Sequence, residues 1–113
     1  MVSKAIASFH LTWIDWCPNS MVEAIVARCP IIYTECGGHK DIATGSGIGI
    51  KDVQWNWKPL NLYKPPKLDI QEVVNAMFKL KKTKEIYPVR NDLDIKTVCK
   101  QYLDFSKELL KRR

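Results

Sequence analysis

Residues 9–41 place a short apolar helix pattern between two apolar segments, and this arrangement restricts the fold more than any other part of the chain. Phe9, Leu11 and Trp13 belong to a first strand that we expect over residues 5–13. A helix over residues 20–28 is apolar almost all round, which is typical of burial on several sides, and residues 30–33 form a second buried strand. Two strands joined by a short crossover helix form a right-handed βαβ unit with parallel strands.

Polar residues and glycines lie where the strands of this unit end. Pro18 suits the first turn of the helix, and Asn19 or Ser20 suits its cap. Gly37 and Gly38 turn the chain after the second strand. Ligands of parallel sheets bind beyond the carboxyl ends of the strands, next to helix N-termini, so we expect a binding site at this edge.

The remainder of the sequence predicts a third strand and three more helices. A short helix is expected over residues 40–44, and the third strand over residues 48–50. Residues 51–68 contain three prolines and are expected to be an extended segment covering the sheet. Asp69 caps a helix with an apolar stripe, and residues 91–94 cap a long last helix. The stripe of the last helix consists of Ile95, Val98, Cys99, Tyr102, Leu103, Ser106, Leu109 and Leu110.

Charge and cysteine content limit the compartment and the partners. The 113 residues carry a formal net charge of +6, which suits a diphosphate, an acidic membrane surface or a nucleic acid without choosing among them. Four cysteines without a CxxC pair fit a reducing compartment, so we expect the cytoplasm. We expect His39 to be solvated. A zinc site formed by Cys36 and His39 with Cys17 or His10 is a weaker alternative, because the spacing is irregular.

Asp15 and Glu23 are the two carboxylates expected at the carboxyl edge of the sheet. Asp15 leaves the first strand, Glu23 lies about one turn into the helix, and both can face one cleft. Carboxylates accept paired hydrogen bonds from adjacent hydroxyls of a sugar, while the backbone N–H groups of Asn19, Ser20 and Met21 offer a site for a diphosphate. These groups together predict a nucleotide sugar. Two structural alternatives stay open: a capping box between Ser20 and Glu23, and a turn role for Asp15.

Residues 15–42, DWCPNSMVEAIVARCPIIYTECGGHKDI, resemble the E-x7-E region of GT-B-fold glycosyltransferases of the family-4 type. The resemblance implies that Glu23 contacts the nucleotide ribose and that Asp15 lies near the donor sugar, which makes these two the catalytic candidates. It also implies that the amides between them hold the diphosphate, with the two glycines beside the ligand. The predicted donor site is therefore Asp15, Asn19, Ser20, Met21, Glu23, Gly37 and Gly38.

Three departures from the family pattern affect these implications. The first carboxylate is Asp15, where the family usually has Glu inside a Glu-Gly-Phe-Gly turn. Arg28 stands where a glycine usually closes the helix, which is unfavourable if the position needs a positive φ. The resemblance covers the second half of the donor domain, so the family's basic pair for the diphosphate has no match. We therefore predict an α/β fold over residues 1–113: a single partial domain with half of a Rossmann-like doubly wound parallel sheet of about three strands, flanking helices and a long C-terminal helix.

The predicted function is the nucleotide-sugar-binding portion of a glycosyltransferase. The resemblance implies a retaining transfer without a metal requirement, and no further cofactor is expected. One alternative is a donor-binding chain that is inactive alone and completes its site with a partner chain. The other is a truncated, non-catalytic binding or interaction module. The expected partners are a nucleotide-diphosphate sugar and either an acceptor-domain chain or a second copy joined at the open edge of the first strand. No nucleic acid is expected, and attachment to a membrane surface is compatible with the charge but has no further support.

Overall fold

The computed structural model describes residues 4–13, 15–51, 67–83 and 87–112, and its elements alternate between strands and helices. In chain order they are β1 (Ser8–His10), α1 (Asn19–Val26), β2 (Ile31–Thr34), α2 (His39–Ala43), β3 (Gly47–Ile50), α3 (Ile70–Thr83), a 3-10 helix (Asn91–Leu93) and α4 (Ile95–Lys111).

The described strands form one parallel sheet in the order β1-β2-β3. Phe9 lies opposite Ile32, and Ile32 lies opposite Ile48 in the next strand. α1 connects β1 to β2 and α2 connects β2 to β3, so both connections are the crossovers that parallel strands require. The prediction of an α/β protein with three parallel strands, flanking helices and a long C-terminal helix is confirmed.

Neighbouring residues of β2 face opposite sides of the sheet and supply both hydrophobic clusters. Ile31 is fully buried and packs with α1, whereas Ile32 is fully buried and packs with α3. The cluster on the first side contains Met21, Ala24, Ile25, Cys29, Ile31, Tyr33 and Ala43. The cluster on the second side contains Ile32, Ile50, Ala76 and Leu80. The central strand is covered on both faces, as is typical of parallel sheets.

β1 is shorter than the strand that the sequence predicts over residues 5–13. Its pairing with β2 ends at His10, and the carbonyl groups that follow bond to side chains instead of a neighbouring strand. The Thr12 carbonyl accepts a hydrogen bond from the Thr34 hydroxyl at 2.7 Å, and the Trp13 carbonyl accepts one from the Cys36 thiol. Polar side chains at the end of β2 therefore stop the ladder.

α1 begins one residue earlier than predicted, and the prediction that Asn19 or Ser20 caps it is wrong. Pro18 is the N-cap, and no side chain caps the helix. The Pro18 carbonyl accepts hydrogen bonds from the N–H groups of Met21 at 3.0 Å and Val22 at 3.3 Å. These bonds close the first turn and leave the N–H groups of Asn19 and Ser20 without a side-chain cap.

α1 also ends earlier than predicted, in a turn that requires a left-handed residue. Arg28 has φ 57°. Its N–H bonds to the Ile25 carbonyl at 2.9 Å, and the Cys29 N–H bonds to the Ala24 carbonyl at 2.9 Å. This pair of bonds is a Schellman motif, in which glycine is the usual left-handed residue. Arg28 therefore has the positive φ that is unfavourable for a residue other than glycine.

The caps of the two long helices agree with the predictions. The Asp69 carboxylate accepts hydrogen bonds from the N–H groups of Gln71 and Glu72 at 2.9 and 3.2 Å. Asp94 does the same for α4, from Lys96 and Thr97 at 3.1 and 3.2 Å. The predicted extended segment over residues 51–68 lies mostly outside the described residues and stays a prediction. Of the helices that the structure describes, none has the length and apolar character needed to cross a membrane.

Candidate functional site

Two loops meet at the carboxyl edge of the sheet, one after β1 and one after β2. The Gly38 N–H donates a hydrogen bond to the Asp15 carbonyl at 3.0 Å. A Cβ atom on Gly37 would lie 2.6 Å from the Asp15 carbonyl oxygen, and one on Gly38 would lie 2.1 Å from the Trp16 carbonyl oxygen. Contact between the loops therefore explains why both positions require glycine. The predicted approach of Gly37 and Gly38 to a ligand stays a prediction.

The Asp15 side chain stabilises its own loop. Its Oδ1 accepts a hydrogen bond from the Cys17 N–H at 3.0 Å, which forms an Asx turn. Within the described part of the chain, no donor bonds to its Oδ2. The turn role that the sequence left open is thus observed, and one carboxylate oxygen is still available to a sugar hydroxyl.

The N-terminus of α1 presents two backbone donors beside this loop. Asn19 and Ser20 are exposed, and no described residue accepts a hydrogen bond from their N–H groups. The Met21 side chain is fully buried and its N–H already donates to Pro18. Met21 would have to give up that bond to hold a ligand, so the anion site rests on the two exposed amides and the positive end of the helix dipole.

Glu23 lies just past the first turn of α1 and is exposed. Because Pro18 is the N-cap, Ser20 is inside the helix and cannot form a capping box with Glu23. No hydrogen bond to the Glu23 carboxylate occurs among the residues described. The capping-box explanation for this carboxylate is therefore excluded, and the exposed carboxylate is accessible to a ligand.

His39 bonds to the start of the loop that contains Asp15. It is fully buried, so the prediction of a solvated histidine is wrong. Its Nδ1 lies 3.0 Å from the Thr34 carbonyl oxygen, and its Nε2 lies 3.2 Å from the Thr12 hydroxyl. A carbonyl can only accept, which assigns the proton to Nδ1 and leaves Nε2 to accept from Thr12. The ring therefore joins the start of the loop to β2 and α2.

Thr34 and Cys36 complete this buried polar cluster. The Thr34 hydroxyl and the Cys36 thiol both donate to carbonyls of the loop, those of Thr12 and Trp13. The Cys36 sulfur lies 3.9 Å from the His39 Nδ1, yet in the described residues no third metal-binding side chain joins them. The zinc alternative therefore has no complete ligand set there. Sequence reasoning missed the cluster because each residue is ordinary alone, and only the register of β1 against β2 brings them together.

A second histidine, His10, lies at the end of β1. Its Nε2 is 3.1 Å from the Ser8 hydroxyl, and 9% of the residue is exposed. Burial lowers its pKa below the ordinary value; His39 lowers it further, and Asp15 acts in the opposite direction. His10 is therefore neutral at neutral pH, and charging it is unfavourable in the folded protein.

No protein-family model, curated protein or solved structure matches this chain. Its function is therefore argued from its residues and from the geometry of this edge of the sheet.

Proposed function

We propose that this chain is the nucleotide-sugar-binding portion of a retaining glycosyltransferase. The observation that carries the proposal is the exposed Glu23 carboxylate, which has no capping role and follows a helix N-terminus without a side-chain cap. Both lie at the carboxyl edge of a parallel sheet, where such folds bind nucleotides. The resemblance of residues 15–42 to the family-4 pattern supplies the class of ligand.

Each group of the site has a distinct part in donor binding. The N–H groups of Asn19 and Ser20 hold the diphosphate, and the α1 dipole stabilises its negative charge. The Glu23 carboxylate accepts hydrogen bonds from the two ribose hydroxyls. The free oxygen of Asp15 faces the sugar. During transfer the diphosphate leaves with added negative charge, and the same helix terminus stabilises it without a metal.

The buried cluster under the loop serves this function by fixing the position of Asp15. His39 bonds to the Thr12 hydroxyl, Thr34 and Cys36 donate to the carbonyls of Thr12 and Trp13, and the Gly38 N–H donates to the carbonyl of Asp15 itself. A loop held in this way loses little conformational entropy when a ligand binds. These bonds to Thr12, Trp13 and Asp15 support a loop whose described residues are held in place by the neighbouring loop.

The open edge of β1 favours a second candidate, a donor-binding chain that completes its site with a partner chain or with a second copy. Phe9, in β1, is 48% exposed, and Ile6, two residues before β1, is 54% exposed. In the described sheet β1 has a neighbour on one side, β2. An unpaired edge of this kind is a template for another strand.

Titration calorimetry with uridine- and guanosine-diphosphate sugars tests the proposal. Glu23→Gln should weaken binding of the donor by about 1–3 kcal/mol, because a charged acceptor of two hydrogen bonds becomes a neutral amide. Asp104→Asn, which removes an exposed carboxylate of α4, is the matched control and should bind as the unmodified chain does. Circular dichroism would establish that both variants are folded. Unchanged affinity in folded Glu23→Gln, or no binding of any donor by the unmodified chain, would contradict the proposal.

A further inference from the structure

α4 is a long helix that contributes no residue to either hydrophobic cluster of the described structure. It spans Ile95–Lys111, and none of its residues is buried. Tyr102 is 70% exposed, Phe105 is 59% exposed and Leu110 is 71% exposed. Large apolar side chains this exposed are unusual in such number on one helix, and a contiguous set marks an interaction surface.

The apolar residues of α4 lie on one continuous face. At about 100° per residue they cover an arc of about 160°, uninterrupted by any charge between Ile95 and Lys111. This apolar face consists of Ile95, Val98, Cys99, Tyr102, Leu103, Phe105, Ser106, Leu109 and Leu110. It is wider than the narrow stripe that a two-stranded coiled coil needs.

The charges of α4 are sorted as clearly as its apolar residues. Its four lysines fall within an arc of about 60° that adjoins one border of the apolar face, and Arg112 adjoins the other border. Asp104 and Glu108 lie near the middle of the polar face, away from the apolar residues, and Glu108 forms an ion pair with Arg112. The lysines of this band are Lys96, Lys100, Lys107 and Lys111. The charged residues next to the two borders of the apolar face are therefore all basic.

We propose that α4 binds in the plane of an anionic lipid surface. Its apolar face enters the boundary between headgroups and acyl chains, and the lysines reach lipid phosphates from the border. The two carboxylates face water in this orientation, so they do not oppose the negative surface. The charge pattern selects an anionic bilayer over a neutral one, and the width of the apolar face selects a bilayer over a single partner helix.

Sedimentation of the full chain with vesicles tests the proposal. Vesicles of phosphatidylcholine containing about a third of phosphatidylglycerol should bind the chain, and vesicles of phosphatidylcholine alone should bind it weakly. Raising the salt concentration should weaken binding to the anionic vesicles, because the lysines are screened. The double variant Lys100→Glu with Lys107→Glu should lower the partition coefficient about thirtyfold or more.

Matched variants of α3 control for overall charge and hydrophobicity. Lys79→Glu with Lys82→Glu changes the net charge equally on another exposed helix surface and should leave binding almost unchanged. Phe105→Ser should weaken binding about tenfold. Phe78→Ser, which removes a 50% exposed aromatic residue from α3, should not. Circular dichroism and the unfolding midpoint would establish that each variant keeps the fold.

Three results would overturn the proposal. The first is absence of binding to anionic vesicles at low salt. The second is an equal loss of binding in the α3 and α4 variants, which would show attraction by net charge alone. The third is self-association of the chain, by light scattering, that Phe105→Ser abolishes, since a second copy would then cover the apolar face. None of these measurements depends on donor binding, so they are independent of the proposed glycosyltransferase site.

Discussion

Replacing Gly38 by alanine tests whether contact between the two loops builds the candidate site. The added Cβ would lie 2.1 Å from the Trp16 carbonyl oxygen, where real contacts stay at 3.0 Å or more. The Gly38 backbone has φ −84°, which any residue adopts, so the substitution adds a clash without a conformational penalty. The loop carrying Trp16 would have to move by about 1 Å, because two backbone segments meet and no flexible side chain can yield.

Two contributions determine how far Gly38→Ala lowers the free energy of unfolding. Overpacking of this kind costs about 1–3 kcal/mol. Displacement of the loop also breaks the hydrogen bond from Gly38 to the Asp15 carbonyl, which is 3.0 Å long, and this costs about 0.5–1.5 kcal/mol. We expect Gly38→Ala to lower the free energy of unfolding by about 2–4 kcal/mol in urea denaturation. Donor affinity should fall as well, since the same movement displaces Asp15.

Gly45→Ala is the control that separates the clash from the loss of a glycine. Gly45 has φ 72°, and nothing lies within 4 Å of the position where its Cβ would be. Alanine there costs about 1–2 kcal/mol through backbone strain alone and should leave donor affinity unchanged. If Gly38→Ala is no more destabilising than Gly45→Ala, the loops tolerate separation and the explanation of the two glycines fails.

Three further predictions concern the helix end, the activity and the pH dependence. Arg28→Gly should raise the free energy of unfolding by about 1 kcal/mol in urea, because it removes the strain of φ 57°; a decrease would contradict the Schellman end of α1. The purified 113-residue polypeptide should show no glycosyl transfer from labelled donor sugars, because the proposed function assigns it the donor-binding portion alone and transfer needs an acceptor held in near-attack geometry; sustained turnover would refute this. The folded protein disfavours charged His10, so the unfolded chain binds the proton more tightly and stability should fall as the pH drops below about 6.5. His10→Gln should flatten the urea midpoint between about pH 5 and pH 7, and an unchanged slope would exclude His10 as the cause.

Hydrophobic periodicity was sufficient to predict the order of strands and helices. The apolar runs around Phe9, Ile31 and Ile48 became the three strands, and the stripes of α3 and α4 became helices because both have aspartate caps at the predicted ends. Parallel pairing followed from the crossover helix, since a short loop could not return the chain. The predicted ends of β1 and α1 were less accurate, because each end depends on which groups bond to the backbone N–H and carbonyl groups there.

The buried cluster could not be predicted because its chemistry arises from pairing across the sheet. Thr12 and Thr34 are separated by 21 residues, yet the alignment of β1 with β2 places the hydroxyl of one on the carbonyl of the other. His39 follows two glycines, a position that local rules assign to an exposed turn. It is buried at the start of α2, where Nδ1 bonds to Thr34 of β2 and Nε2 bonds to Thr12 after β1.

Some residues at this edge have structural roles in the fold, others are assigned to the proposed ligand, and Asp15 belongs to both groups. Gly37, Gly38 and His39 have complete structural explanations, in backbone contact or in buried hydrogen bonds. Glu23 has no such contact: its carboxylate is exposed and lies near the N-terminus of α1, where negative charge is favourable. Asp15 uses Oδ1 for its own turn and keeps Oδ2 free, so the turn holds the carboxylate in one orientation. In the proposed site, a sugar hydroxyl would thus meet an acceptor whose rotamer is already fixed, so less conformational entropy is lost on binding.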